Sequence, residues 1–221
     1  SVVQDVPKPM APINETPFLE YLLDYWMGQG VTHFILSVGY KYEKVKEHFG
    51  DSFKGCPITY VIEETPLGTG GAFFHALHQL DHLEDEILLL NGDSFFDVDL
   101  SKMVAFHHAK KSDITIALAE VAKNDRYSGI LLDDEQHITH FAQREIQNPS
   151  LLINSGIYLF KTSLFPKTAS KDFVSLEDEF FPKAIQEGKK IFGFASKGHF
   201  LDIGIPNDYL RAGEFFAQVF S

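Results

Sequence analysis

Three stretches of the chain combine residue types and spacing that could do chemistry on a phosphate. The first is Ile87-Leu88-Leu89-Leu90-Asn91-Gly92-Asp93-Ser94. Its four consecutive large apolar residues are too few for a helix and read as a strand buried on both faces. The strand runs into Asn-Gly-Asp, where the chain must turn and a carboxylate is delivered at the strand's C-terminal end. In open α/β sheets ligands sit at that edge. A carboxylate there, in an enzyme that handles phosphates, would hold Mg²⁺; a turn whose Asp caps the next helix is the plainer alternative. The second stretch is Pro7-Lys8-Pro9-Met10. Its prolines fix the backbone on both sides of Lys8, so the ammonium is pre-placed, although an ordinary solvated lysine has the same spacing. The third is Glu63-Glu64-Thr65-Pro66-Leu67-Gly68-Thr69-Gly70-Gly71-Ala72. A glycine-rich loop between a strand and a helix exposes backbone N–H groups and admits a ligand closely. It lacks the full G-x-G-x-x-G spacing and follows an internal strand, so an NAD-dependent oxidoreductase is only weakly suggested.

The elements that must position these residues alternate between strand and helix. Thr16-Pro17 reads as N-cap and first helical residue. Phe18, Leu19, Leu22, Leu23, Trp26 and Met27 then form one apolar face, ended by Gly28 or Gly30. Strands are expected over 33–38 and 58–62, with a short helix near Tyr42–Phe49 between them. A helix over 72–80 precedes the Ile87 strand. Asp99 or Ser101 caps a helix to about Lys111, a strand covers 114–121, and 129–132 and 137–141 make a hairpin around Asp133-Asp134. A strand over 154–160 follows. Ser175-Leu176-Glu177-Asp178 resembles a capping box for a helix ending at Gly188. Strands at 191–195 and 200–203 lead to a C-terminal helix opened by Pro206. This rhythm predicts an α/β fold with a largely parallel sheet covered by helices on both sides.

Composition sets limits. A chain of 221 residues, 44% hydrophobic and 23% charged, suits one well-cored domain, here 1–221, and has no repeats or long linkers. No apolar run approaches a membrane span and no leader pattern opens the chain. With 19 basic against 31 acidic residues the net charge is −12, which argues against a general nucleic-acid or anionic-membrane binder. A single cysteine, Cys56, fits a reducing cytoplasm. The ten histidines, such as His78, His82, His107 and His108, read as surface residues without metal spacing. Phe215, Phe216 and Phe220 are either core or an interface between copies in a homo-oligomer.

Taken in order, five motifs resemble those of the sugar-1-phosphate nucleotidyltransferases. They are Pro7-Lys8-Pro9-Met10, Pro66-Leu67-Gly68-Thr69-Gly70-Gly71-Ala72, Asn91-Gly92-Asp93, Asn154-Ser155-Gly156-Ile157-Tyr158 and Asp202-Ile203-Gly204-Ile205-Pro206. Within that family the chain is most similar to the D-glycero-α-D-manno-heptose 1-phosphate guanylyltransferases. Mannose-1-phosphate guanylyl and glucose-1-phosphate thymidylyl transfer remain open, as does a non-catalytic nucleotide-sugar-binding protein of the same fold.

The resemblance implies a three-layer αβα, Rossmann-like mixed sheet. It also implies attack by a sugar 1-phosphate on the α-phosphorus of an NTP, releasing pyrophosphate and a GDP-sugar for bacterial surface polysaccharide. Asp93 and Asp202 would bind Mg²⁺, and Lys8 would neutralise phosphate charge. Gly68, Thr69, Gly70, Asn91 and Gly92 would meet the nucleotide. Glu63, with Glu64 the alternative, would read the N–H donors of guanine. Asn154, Gly129, Gln143 and Arg144 would meet the sugar phosphate.

Departures from the family pattern are equally specific. Family members carry a first strand and a G-G-x-G-T-R-L loop directly before the Pro-Lys-Pro segment. The sequence begins at Ser1, after that point, and about 20 upstream residues are expected to be missing from the record or removed; without them turnover would be very poor. Gln143-Arg144 stands where many members have Glu-Lys. Arg144 keeps a cation and adds a fork, whereas Gln143 loses the charge. In Arg126-Tyr127-Ser128-Gly129, Ser128 replaces a glycine expected to approach the sugar.

Overall fold

The computed structural model describes residues 5–80, 83–122, 129–141, 150–165, 173–204 and 206–220. In chain order the elements are β1 (Pro12–Ile13), β2 (Thr16–Pro17), α1 (Phe18–Gly28), β3 (Phe34–Val38), α2 (Tyr42–Phe49), β4 (Ser52–Phe53), β5 (Cys56–Ile62) and α3 (Gly68–Gln79). They continue as β6 (Glu86–Leu90), β7 (Ser94–Phe96), α4 (Leu100–Lys110), β8 (Ile114–Ala122), β9 (Ile130–Leu132), β10 (Ile138–Phe141) and β11 (Ser150–Lys161). The last are α5 (Phe181–Gln186), β12 (Ile191–Ser196), β13 (Phe200–Asp202) and α6 (Pro206–Val219). Two compact units share them: one comprises 1–66, 91–97 and 199–221, the other 67–90 and 98–198.

In the first unit, β3 and β5 run parallel, with Phe34 opposite Ile58, and β4 adds antiparallel to β5. β13 pairs antiparallel with β7, placing Asp202 opposite Ser94. Thr16-Pro17 departs from the expected helix start. The two residues pair with Pro12-Ile13 in a tight hairpin, and α1 begins at Phe18 without a side-chain cap. The reason is the intervening Asn14-Glu15, both at positive φ, which close a two-residue turn without the usual glycine. α6 holds that hairpin: the Tyr209 hydroxyl donates to the Pro12 carbonyl at 2.7 Å. Phe216 stacks on Tyr21 at 4.2 Å and is buried, so it is core, whereas Phe220 stays half exposed.

In the second unit a four-stranded sheet has the order β12-β8-β11-β6. β12 and β8 are parallel; β11 is antiparallel to both β8 and β6. The core gathers Phe73, Ile114, Ile116, Leu118, Tyr158, Phe160 and Phe181. Two expectations need correction. The apolar run 87–90 is only half-buried, because β6 pairs with β11 on one side and has no second ladder among the described residues. His107 is fully buried rather than on the surface: it lies on the inner face of α4, its Nδ1 2.8 Å from the Thr115 hydroxyl.

The capping expectations largely hold. Asp99 caps α4, accepting from the Lys102 N–H at 3.0 Å. Ser175 accepts from the Asp178 N–H, but the reciprocal bond from the Ser175 N–H goes to Glu179, not Asp178. The first turn, Leu176–Phe180, is a wide π-turn, which moves the acceptor one residue on.

Candidate functional site

The Pro-Lys-Pro segment forms a short 3₁₀ turn, Lys8–Met10, in which the Met10 N–H donates to the Pro7 carbonyl at 2.8 Å. Met10 and Ala11 are buried, so the turn is anchored while Lys8 stays exposed. Its ammonium lies 3.6 Å from an Asp93 carboxylate oxygen. Two glycines make that approach feasible. A β-carbon at Gly92 would stand 3.2 Å from Pro9 Cγ, a rigid ring, and one at Gly204 would stand 2.9 Å from Asp202 Oδ1 and 3.5 Å from Lys8 Nζ. Asp93 and Asp202 meet through the β7–β13 ladder, where the Ile203 N–H donates to the Asp93 carbonyl at 3.0 Å. The Gly204 N–H donates to Asp202 Oδ1 at 2.8 Å and fixes the carboxylate's direction.

Electrostatics single out Asp202. Burial raises its pKa above the ordinary carboxylate value, and the neighbouring Asp93 adds to this; the Gly204 N–H and Lys8 pull the other way. Two carboxylates held together at the cost of raising one pKa are short of positive charge, which a divalent cation with oxygen preference would supply. Among the described residues no group of three or more His, Cys, Asp or Glu side chains could hold a metal. A pair of carboxylates, with the remaining ligands drawn from phosphate and water, is the donor set that suits Mg²⁺. Lys8, Asp93 and Asp202 are thus brought together, and Asn91 and Gly92 adjoin Asp93 in sequence, Gly92 packing against Pro9. Glu63 sits at the end of β5, its Oε1 accepting from the Ser37 hydroxyl at 2.9 Å; Glu64 is exposed.

In the second unit the glycine-rich segment is not a loop. α3 begins at Gly68, four residues ahead of the expected start. The Gly70 and Gly71 N–H groups both donate to the Val174 carbonyl, at 2.9 and 3.2 Å, so two of the amides expected to face a ligand are spent internally. The glycines serve this close packing: a β-carbon would fall 2.7 Å from the Val174 oxygen at Gly68 and 3.0 Å from it at Gly70. The Thr69 hydroxyl donates to Glu177 at 3.1 Å. Asn154 lies on β11, where the register shifts between Asn154 and Tyr158 and Gly156 takes a positive φ. Gly129 bridges Ile153, the residue before Asn154. Gln143, Arg144 and the 126–128 segment lie outside the described residues. Sequence reasoning missed Tyr158 as the polar partner of Asn154 and Glu177 as that of Thr69. The only signal was a hydrophilic residue inside an otherwise plain capping motif.

A nucleoside triphosphate needs charge neutralisation at its phosphates, and the Lys8–Asp93–Asp202 group can provide it with a bound cation. The family is shown by comparison: the nucleotidyl transferase model matches residues 2–219, and the chain belongs to that family. Two relatives are D-glycero-α-D-manno-heptose 1-phosphate guanylyltransferases. That of Aneurinibacillus thermoaerophilus is 39% identical over 96% of this chain and 90% of its own length. That of Campylobacter jejuni is 41% identical over 95% and 90%. The crystal structure of HddC from Yersinia pseudotuberculosis complexed with GMP-PN superposes with a TM-score of 0.85 at 32% identity, covering 98% of this chain and 92% of that one. The fold is therefore the Rossmann-like αβα fold of nucleotidyltransferases, and the chain is an enzyme of nucleotide-sugar biosynthesis.

Proposed function

We propose that this chain joins D-glycero-α-D-manno-heptose 1-phosphate to GTP, giving GDP-heptose and pyrophosphate. The observation that carries the reading is the convergence of Lys8, Asp93 and Asp202, motifs far apart in sequence, within one unit. The substrate pair rests on the two guanylyltransferases at about two-fifths identity and on the GMP-PN complex of HddC. In the reaction an oxygen of the sugar 1-phosphate bonds to the α-phosphorus while the bond from that phosphorus to the β-phosphate bridging oxygen breaks, and pyrophosphate leaves with that electron pair. The obstacle is mutual repulsion of two anions, so the protein works chiefly by positioning and neutralising charge.

Asp93 and Asp202 would hold Mg²⁺, which when bound screens the triphosphate and aligns its oxygens. Lys8, steered by Asp93, neutralises phosphate charge. Glu63 accepts from the guanine N–H groups, and Asn154 with Gly129 meets the sugar; Gln143 and Arg144 are assigned to the sugar phosphate on the motif match alone. Gly68, Thr69 and Gly70 are assigned to the nucleotide on the motif match alone. A cytoplasmic location fits GTP as a substrate, and no helix among the described residues is long and apolar enough to cross a membrane.

The test is a panel of GTP, ATP, CTP, UTP and dTTP against heptose, mannose and glucose 1-phosphates, with Mg²⁺, reading pyrophosphate. Release highest with GTP and heptose 1-phosphate is expected. A preference for mannose 1-phosphate or for dTTP would reassign the substrates, and no release with any pair would favour a nucleotide-sugar-binding protein.

A further inference from the structure

Among the described residues of the second unit, one polar chain is not explained by folding alone. Asn154 Nδ2 donates to the Tyr158 hydroxyl oxygen at 2.8 Å, and that hydroxyl donates to Glu177 Oε1 at 2.8 Å. Glu177 Oε2 accepts from the Thr69 hydroxyl at 3.1 Å, whose oxygen in turn accepts from the Leu176 N–H at 3.1 Å. Tyr158 is fully buried and Asn154 and Glu177 are half-buried.

Residues four apart on a regular strand are separated by about 13 Å and cannot share a short hydrogen bond. Here the bulge between Asn154 and Tyr158, with Gly156 at φ 77°, shortens the path. Bulges of this kind re-aim side chains beside active sites. Nor does Glu177 serve the helix start. That role is taken by the Ser175 hydroxyl and the Glu179 carboxylate, leaving both Glu177 oxygens to side-chain hydroxyls.

Direction follows from chemistry. A carboxylate only accepts, so the Tyr158 proton must point to Glu177 and the Tyr158 oxygen must receive from the amide nitrogen of Asn154. The Gly156 N–H donates to Asn154 Oδ1 at 2.9 Å and enforces the same orientation from the other side. The amide is thus locked, and its second N–H and second lone pair have no partner among the described residues.

We infer that Glu177 is a positioning residue for the sugar-side half of the reaction, fixing through Tyr158 which way the Asn154 amide faces the sugar 1-phosphate. The inference rests on the assignment of Asn154 proposed above. Glu177→Gln isolates the effect. A glutamine offers one oxygen to two hydroxyl donors: with its NH₂ toward Tyr158 the hydroxyl proton turns toward Asn154, against the Gly156 constraint, and with its NH₂ toward Thr69 that hydroxyl can no longer donate to residue 177. Tyr158→Phe removes the relay while keeping the ring.

Steady-state kinetics of both variants, of Asn154→Ala and of the Glu177→Gln/Asn154→Ala double variant test this. Each relay variant should raise KM for heptose 1-phosphate about tenfold, the scale of one charge-assisted hydrogen bond, with KM for GTP within about twofold. Glu177→Gln should add nothing in the Asn154→Ala background. Equal rises in both KM values would overturn the inference. So would a full Glu177→Gln effect persisting without Asn154, or a wild-type sugar KM in Asn154→Ala. Failure of the substrate assignment shows separately, as absent turnover by the wild type. In that event the NMR resonances of the Asn154 side-chain amide in the free protein decide: they should move in both relay variants, and unmoved resonances would overturn the inference.

Discussion

Replacing Gly68 by alanine tests how the glycine-rich segment is held. Gly68 has φ +73°, which costs an alanine about 1–2 kcal/mol. Its new β-carbon would also fall 2.7 Å from the Val174 carbonyl oxygen, a backbone atom that cannot swing away as a side-chain end would. Relief requires Val174 to withdraw, and its carbonyl is the acceptor for both the Gly70 and Gly71 N–H groups. Losing those two bonds costs about 0.5–1.5 kcal/mol each, so the local penalty is about 2–5 kcal/mol. Hydrogen exchange is the matching assay, because the segment can open without global unfolding. Protection of the Gly70 and Gly71 amides should fall roughly 30-fold or more, since each 1.36 kcal/mol is a factor of ten. Unchanged protection of both amides would refute the view that these glycines exist to seat Val174.

Three further outcomes are expected. Gly193→Ala places a β-carbon 2.5 Å from Leu118 Cδ1 and 2.7 Å from Leu132 Cδ2, so overpacking should cost about 1–3 kcal/mol and lower Tm by roughly 2–12 °C in thermal denaturation. For Asp202, burial first and Asp93 second raise the folded pKa above the unfolded 3.8, so the native state favours the protonated form. The ionised group therefore costs stability above the raised pKa and nothing below 3.8. Asp202→Asn should melt higher than wild type in metal-free buffer at pH 7, with the gap closing as pH falls; a lower melting point at pH 7 would contradict this. Glu63→Gln should narrow the ratio of GTP to other NTPs in turnover, and an unaltered ratio would discard Glu63 as the base reader.

Most elements were legible because their signals are local. The Tyr42–Phe49 helix, the Asp99 cap and the hairpin around Asp133 each announce themselves within a few residues. What the sequence concealed depends on partners far along the chain. Nothing near Gly70 and Gly71 reveals that the Val174 carbonyl will occupy their amides, nor near His107 that Thr115 will receive its ring. Thr16-Pro17 carries a strong helix-start signal, yet hairpin pairing with Pro12-Ile13 won. The carboxylates of the site were legible by type and motif order, but their meeting is a property of the β7–β13 ladder. The Glu177 relay was hidden further, because a bulge in β11 creates a contact that regular strand geometry forbids.

The central claim is that Asp93 and Asp202 act on one divalent cation during guanylyl transfer. Pyrophosphate release from GTP and heptose 1-phosphate, titrated with Mg²⁺ for wild type, Asp93→Ala and Asp202→Ala, tests it most directly. Wild type should show saturable dependence on Mg²⁺, and each variant should lose roughly 10²–10³-fold or more in kcat. Near-normal, Mg²⁺-dependent turnover by either variant would contradict the account and remove that residue from the site.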